Sequence, residues 1–106
     1  MDESQVIKAL AALSQETRLR ILRFLVVRGH GGAAAGEIAE AVGASSSGVS
    51  FHLTTMANAG LLASERVSRS VIYRVDFDRM GELIGYLVKD CCKSHETVTA
   101  CCGVAA

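Results

Sequence analysis

Apolar residues recur at helical spacing along most of the chain. Val6, Ile7, Leu10 and Leu13 predict a helix over 4–13, with Asp2, Glu3 and Ser4 suited to its cap and first turn. Ser14 then reads as the N-cap of a second helix. That helix carries Leu19, Ile21, Leu22, Phe24 and Leu25 and ends near Gly29. Gly29-His30-Gly31-Gly32 is a loop, because so many glycines are costly in a helix. A short helix over 36–42 turns Ile38, Ala39 and Val42 inward and stops at Gly43. Ser45 opens the next helix and Gly60 closes it, with Val49, Leu53 and Met56 on the core face. Residues 61–66 and 71–76 read as strands, Val71, Tyr73 and Val75 alternating with Ile72 and Arg74. The segment between them lacks Gly and Asn, so a tight two-residue turn is not expected. After Asp76 or Asp78 a last helix carries Met80, Leu83, Ile84, Leu87 and Val88.

This order predicts a mainly α fold with a two-stranded β-hairpin, that is, a winged helix-turn-helix. The fourth helix supports it. Its outer face holds Ser47, Phe51, Thr54 and Asn58, and its one ionisable side chain is His52. A slim face of hydroxyls suits the major groove. Ser46, Ser47, Ser50 and Thr54 can bond base edges or phosphates, and Phe51 can press on a thymine methyl. The alternative makes Phe51 a core aromatic on a slightly rotated helix. His52, beside the core face, reads as a hydrogen-bonded structural histidine. On the hairpin, Arg66 and Arg69 can reach phosphates or the minor groove. The first and last helices carry apolar stripes with no evident home inside so small a domain. Val6, Leu10, Leu83 and Leu87 are therefore expected to pair with a second copy. A two-fold homodimer would set two recognition helices about 34 Å apart, on successive major grooves of operator DNA.

The residues also carry a resemblance. Ala9-Leu10-Ala11-Ala12-Leu13-Ser14, Thr17-Arg18-Leu19-Arg20-Ile21-Leu22, Glu37-Ile38-Ala39-Glu40, Val49-Ser50-Phe51-His52-Leu53 and Ala59-Gly60-Leu61-Leu62 resemble the arsenic-resistance repressor (ArsR/SmtB) family over about residues 5–76. The resemblance implies a homodimeric repressor that leaves its operator when a metal or metalloid binds. One group of that family uses a Cys-Val-Cys box on the helix before the recognition helix, where Ala33-Ala34-Ala35 stand nearby here. Another uses Asp-x-His on the last helix, and Asp78-Arg79-Met80 lacks the histidine. Asp90-Cys91-Cys92 with a further downstream cysteine is similar to an arsenite-responsive subgroup that binds the metalloid through three C-terminal cysteines.

Cysteine placement sharpens the picture. Cys91, Cys92, Cys101 and Cys102 are the only four, all near the C-terminus. A disulfide framework would be spread along the chain. Soft thiolates select thiophilic ions such as Cu(I), Zn(II) and, by extension, trivalent arsenic. The resemblance to the arsenite-responsive subgroup implies trivalent arsenic (arsenite) as the effector, with antimonite or a methylated arsenical as variants. Cys91 and Cys92 supply two sulfurs and Cys101 or Cys102 the third. Lys93 and His95 could help keep thiols deprotonated. Zinc is demoted by the lack of C-x2–4-C spacing, although His95 and Glu96 could join a mixed site. A thiol redox switch through Cys92 and Cys101 is the nearest alternative, and a metal buffer is a third. The expected units are residues 1–90 for DNA binding and dimerisation and 91–106 for the tail.

Composition bounds the rest. The 106 residues fit one domain, and 50% apolar content permits a packed core. Eleven basic residues balance eleven acidic ones, which argues against a blanket polycation. The charge is nonetheless segregated. Residues 17–36 carry Arg18, Arg20, Arg23 and Arg28 without an acid, and Arg66, Arg69 and Arg74 face Glu65 alone over 65–75. No apolar run approaches the ~20 residues of a membrane helix, and Met-Asp-Glu-Ser is not a secretory start. A cytoplasmic protein without a membrane partner is the expectation. An enzyme is not expected: no arginine follows Arg79 to complete a Cys-x5-Arg phosphate loop, and there is no nucleotide loop.

Overall fold

The computed structural model describes residues 1–102, with all their side chains but that of Cys102. Residues 103–106 of the expected tail lie outside the described residues.

Local chemistry sets most boundaries. Helix α1 (Glu3–Leu13) starts in a reciprocal cap. The Asp2 carboxylate accepts from the Gln5 N–H at 2.8 Å, and the Gln5 side chain accepts from the Asp2 N–H at 2.9 Å. Helix α2 (Glu16–Arg28) is capped by Gln15, whose side chain accepts from the Arg18 N–H at 2.9 Å. The expectation that Ser14 caps α2 is corrected. The Ser14 hydroxyl donates backward to the Ala11 carbonyl at 2.8 Å and closes α1 instead. A 3₁₀ turn (Gly29–Gly31), strand β1 (Ala33–Ala34) and helix α3 (Ala35–Val42) follow. Gly43, at φ 68°, ends α3 in the left-handed conformation. Helix α4 (Ser46–Asn58) begins at Ser45, whose hydroxyl oxygen accepts from the Gly48 N–H at 3.1 Å. Strands β2 (Leu62–Val67) and β3 (Ser70–Val75) lead to helix α5 (Phe77–Tyr86), capped by Asp76. A π-turn (Leu87–Cys91) extends α5, and a short helix α6 (Glu96–Cys102) ends the described chain.

Two features of the sheet correct the sequence reading. The sheet has three antiparallel strands in the order β1-β3-β2, not two. Ala33 pairs with Tyr73 and Ala34 with Ile72. Gly32 permits this approach: a Cβ there would lie 2.3 Å from the Tyr73 carbonyl oxygen. The hairpin turn is also tight. Val67 pairs with Ser70, so only Ser68-Arg69 lie between the strands. Ser68 adopts φ 58°, the conformation that Gly or Asn would usually supply.

The core has two parts. Ile21, Leu25, Ile38, Val49, Leu53 and Met56 are completely buried where α2, α3 and α4 meet the sheet. Val6, Ala9 and Ala12 of α1 pack with Ala59, Leu61 and Leu83 in the second part. The small alanines let α1 approach closely. Burying side chains the size of Val6 or Leu83 is worth about 1.5–3 kcal/mol each. The expectation that these stripes have no home within the protomer is thus corrected for Val6 and Leu83. Among the described residues no helix is long and apolar enough to cross a membrane.

Candidate nucleic-acid face and thiol tail

Helix α4 presents its polar side outward because Val49, Leu53 and Met56 anchor the other side. Ser46, Ser47, Ser50, Phe51 and Thr54 are all exposed. The Thr54 hydroxyl donates to the Ser50 carbonyl at 2.9 Å, which leaves its oxygen able to accept a further bond. Phe51 is 67% exposed, so the core reading of this ring is set aside. Its edge-on neighbour is the His52 ring, 5.9 Å between centroids. His52 is half-buried and lies 3.2 Å from the Arg18 guanidinium through Nδ1. Since arginine can only donate, Nδ1 accepts. Arg18 Nε donates to the Ala12 carbonyl at 2.5 Å. One guanidinium therefore ties the end of α1 and the start of α2 to the middle of α4.

The arginines divide into occupied and available ones. Arg20 pairs with Glu16 at 2.6 Å and Arg28 with Glu37 at 2.9 Å. Arg74 pairs with Glu65 at 2.7 Å. These pairs correct the picture of an unopposed basic patch on α2. Glu37 also accepts from the Ala34 N–H, and this bond, then Arg28, holds its carboxyl below the ordinary carboxylate value. Arg23, Arg66 and Arg69 are exposed, and none makes an ion pair among the described residues. Arg66 and Arg69 sit at the tip of the β2–β3 wing.

On the helices expected to pair with a second copy, the exposed apolar residues are Ile7 (60%), Leu10 (40%) and Ile84 (45%). Leu87 is half-buried, and Val6 and Leu83 belong to the core. Sequence reasoning placed Ile7 and Ile84 on the helices without singling them out. The available signal was the Val6-Ala9-Ala12 spacing, which marks the inward face of α1.

After the π-turn the chain turns out of the helix. The Cys92 N–H donates to the Leu87 carbonyl at 2.9 Å and the Ser94 N–H to the Val88 carbonyl at 2.7 Å. Lys93 and Ser94 both have positive φ, 52° and 53°. Cys91 and Cys101 are exposed, Cys92 is half-buried, and all three are free thiols. The Cys102 side chain lies outside the described residues. Among the described residues no three His, Cys, Asp or Glu side chains stand together as a metal-holding group. His95 and Lys93 are exposed, and His95 Nδ1 accepts from the Thr97 N–H at 3.1 Å. The Tyr86 hydroxyl is pushed above its ordinary pKa by loss of solvent, then by Glu3, Cys91, Asp90 and Asp2.

A helix-turn-helix domain model matches residues 13–65. The HTH-type transcriptional regulator YgaV of Escherichia coli (strain K12) is 34% identical over 83 residues, covering 78% of this chain and 82% of that one. An ArsR-like transcriptional regulator from Rhodococcus sp. RHA1 superposes with a TM-score of 0.74 at 26% identity, over 92% of this chain and 89% of that chain. A homodimeric winged helix-turn-helix DNA-binding domain from Mycobacterium bovis, of a possible ArsR-family regulator, gives a TM-score of 0.65 at 27% identity, over 87% of this chain and 85% of that chain. Neither the fold nor these likenesses is that of an enzyme. With its three-stranded winged sheet, hydroxyl-faced α4 and these relatives, the chain belongs to the ArsR family of helix-turn-helix transcriptional regulators.

Proposed function

We propose that this regulator is a homodimeric repressor that leaves its operator when trivalent arsenic binds its C-terminal thiols. The observation that carries the reading is the confinement of every cysteine to 91–102, on either side of the turn between the end of α5 and α6. Ser46, Ser47, Ser50, Phe51 and Thr54 read the major groove, and Arg66 and Arg69 hold the flanking backbone. The exposed Ile7, Leu10 and Ile84 support pairing of α1 and α5 with a second copy. The homodimeric relative supports the same assembly.

The donor set suits the effector. Arsenite, As(OH)3, exchanges its three As–O bonds for three As–S bonds; the three thiol protons leave with the hydroxyls as three waters, with no change of oxidation state. Cys91 and Cys92 provide two sulfurs, and Cys101 or Cys102 the third. Among the described residues Cys91, Cys92 and Cys101 are not gathered into a metal-holding group, so binding through them has to draw α6 toward the end of α5. Cys91 ends the turn that extends α5, so a pull on it acts on one of the two proposed pairing helices. A coupling of 1–3 kcal/mol would weaken DNA binding roughly 5- to 150-fold. A gel-shift titration of an operator duplex tests this: arsenite should release the duplex, and retention at saturating arsenite would oppose the reading.

The free thiols of Cys92 and Cys101, the latter exposed, support a second reading, oxidation to a disulfide in place of metalloid binding. Release by peroxide with no response to arsenite would select it.

A further inference from the structure

A cationic cleft lies between α1 and the C-terminal end of α4. Lys8, Arg18, Thr55 and Asn58 line it. It continues past Lys8 and Asn58 to Arg79 and the Met1 amine. Among the described residues, Glu82 pairs with two of these cations, at 3.4 Å from both Arg79 and the Met1 amine. Lys8 is exposed, and it makes no ion pair among the described residues. Its helical neighbours three and four residues away, Ser4, Gln5, Ala11 and Ala12, are uncharged. Arg18 is committed to Ala12 and His52, which leaves Lys8 as the cleft's free cation among the described residues.

Asn58 connects this cleft to the nucleic-acid face. It lies eleven residues after Ser47, about 20° away around α4 and about 16 Å along it. The major groove is about 12 Å wide. A helix that sends Ser47 into the groove therefore brings Asn58 out over the bordering backbone. We infer that the α1–α4 cleft is a seat for a DNA backbone phosphate, with Lys8 supplying the charge and Asn58 a neutral donor. This contact adds to the wing arginines. The inference rests on the DNA-binding reading above.

The test is fluorescence anisotropy of the full-length wild type, Lys8→Gln and Lys8→Arg from 50 to 200 mM salt. Two duplexes are used, one of random sequence and one enriched from a random pool by the wild type. Each lost phosphate contact flattens the slope of log affinity against log salt by about 0.9. With one seat per protomer, a dimeric K8Q should lose about tenfold less affinity over that salt range than wild type. The weakening should be equal on both duplexes, and Lys8→Arg should restore most of it. An unchanged slope in K8Q while wild type binds both duplexes overturns the seat alone. Weakening confined to the enriched duplex also overturns it, by making Lys8 a base contact. A wild type that binds neither duplex overturns the DNA-binding reading and the seat with it. Inorganic phosphate at millimolar concentration should leave the Asn58 amide resonance in place, whereas duplex should move it. A shift with phosphate alone would assign the cleft to a free anion instead.

Discussion

Arg18 and His52 are 34 residues apart in sequence and 3.2 Å apart in space. Their contact decides how α4 is held beneath its exposed face. Substituting Arg18 by Gln removes the donor to His52 and leaves the Ala12 carbonyl without that partner. The expected loss is about 1–3 kcal/mol in urea unfolding. Lys is expected to recover only part of it, because it lacks the planar fork that reaches both acceptors.

Phe51 separates a reading surface from a core. Phe51→Ala should change stability by no more than about 0.5 kcal/mol, as for other exposed positions. Its DNA affinity should fall roughly tenfold or more, the size of a lost base contact. Unfolding and anisotropy measured on the same preparation check both. A stability loss of about 3 kcal/mol would return Phe51 to the core.

Much of this architecture is legible in the residues. Ser45 and Gly43 mark the ends of α4 and α3 by their capping chemistry, and Val49, Leu53 and Met56 set the rotation of α4. The two-residue wing turn was not legible, because Ser68 takes a conformation that Gly or Asn usually signals. Strand β1 spans only Ala33–Ala34, too short to show alternation. Helix α6 is short, and an apolar stripe does not announce it. Periodicity finds the apolar face of α1 but does not say whether it is buried within one chain or between two. Val6 goes inward while Ile7 and Leu10 stay exposed. The arginine pairs with Glu16, Glu37 and Glu65 needed the folded backbone, except that Glu16 and Arg20 stand at i, i+4.

Gly32 and Gly31 form a matched pair of tests. Ala at Gly32 combines φ 64° with a Cβ position 2.3 Å from the Tyr73 carbonyl. It should cost at least about 2 kcal/mol and loosen β1 from β3. Ala at Gly31 meets nothing within 4 Å and should change stability by no more than about 0.5 kcal/mol. Chemical denaturation of both variants checks the difference.

Glu37 gives a pH signature. Its carboxyl is held below the ordinary value of 4.5 by the Ala34 N–H and then Arg28. A carboxyl with a lowered folded-state pKa stabilises the fold above the unfolded value. That contribution is lost as pH falls through the folded one. The stability gap between wild type and Glu37→Gln should therefore be constant near neutrality and close below the ordinary carboxylate range. A gap that widens as pH falls would contradict the assignment.

The most direct test of the account compares wild type with a Cys91→Ser, Cys92→Ser double variant bound to one operator duplex. Both should bind the duplex with similar affinity without arsenite, since neither cysteine belongs to the proposed DNA-reading set. Arsenite should weaken wild-type binding roughly 5- to 150-fold and leave the variant bound. Arsenite-driven release of the double variant equal to that of wild type would contradict the claim that the C-terminal thiols are the switch.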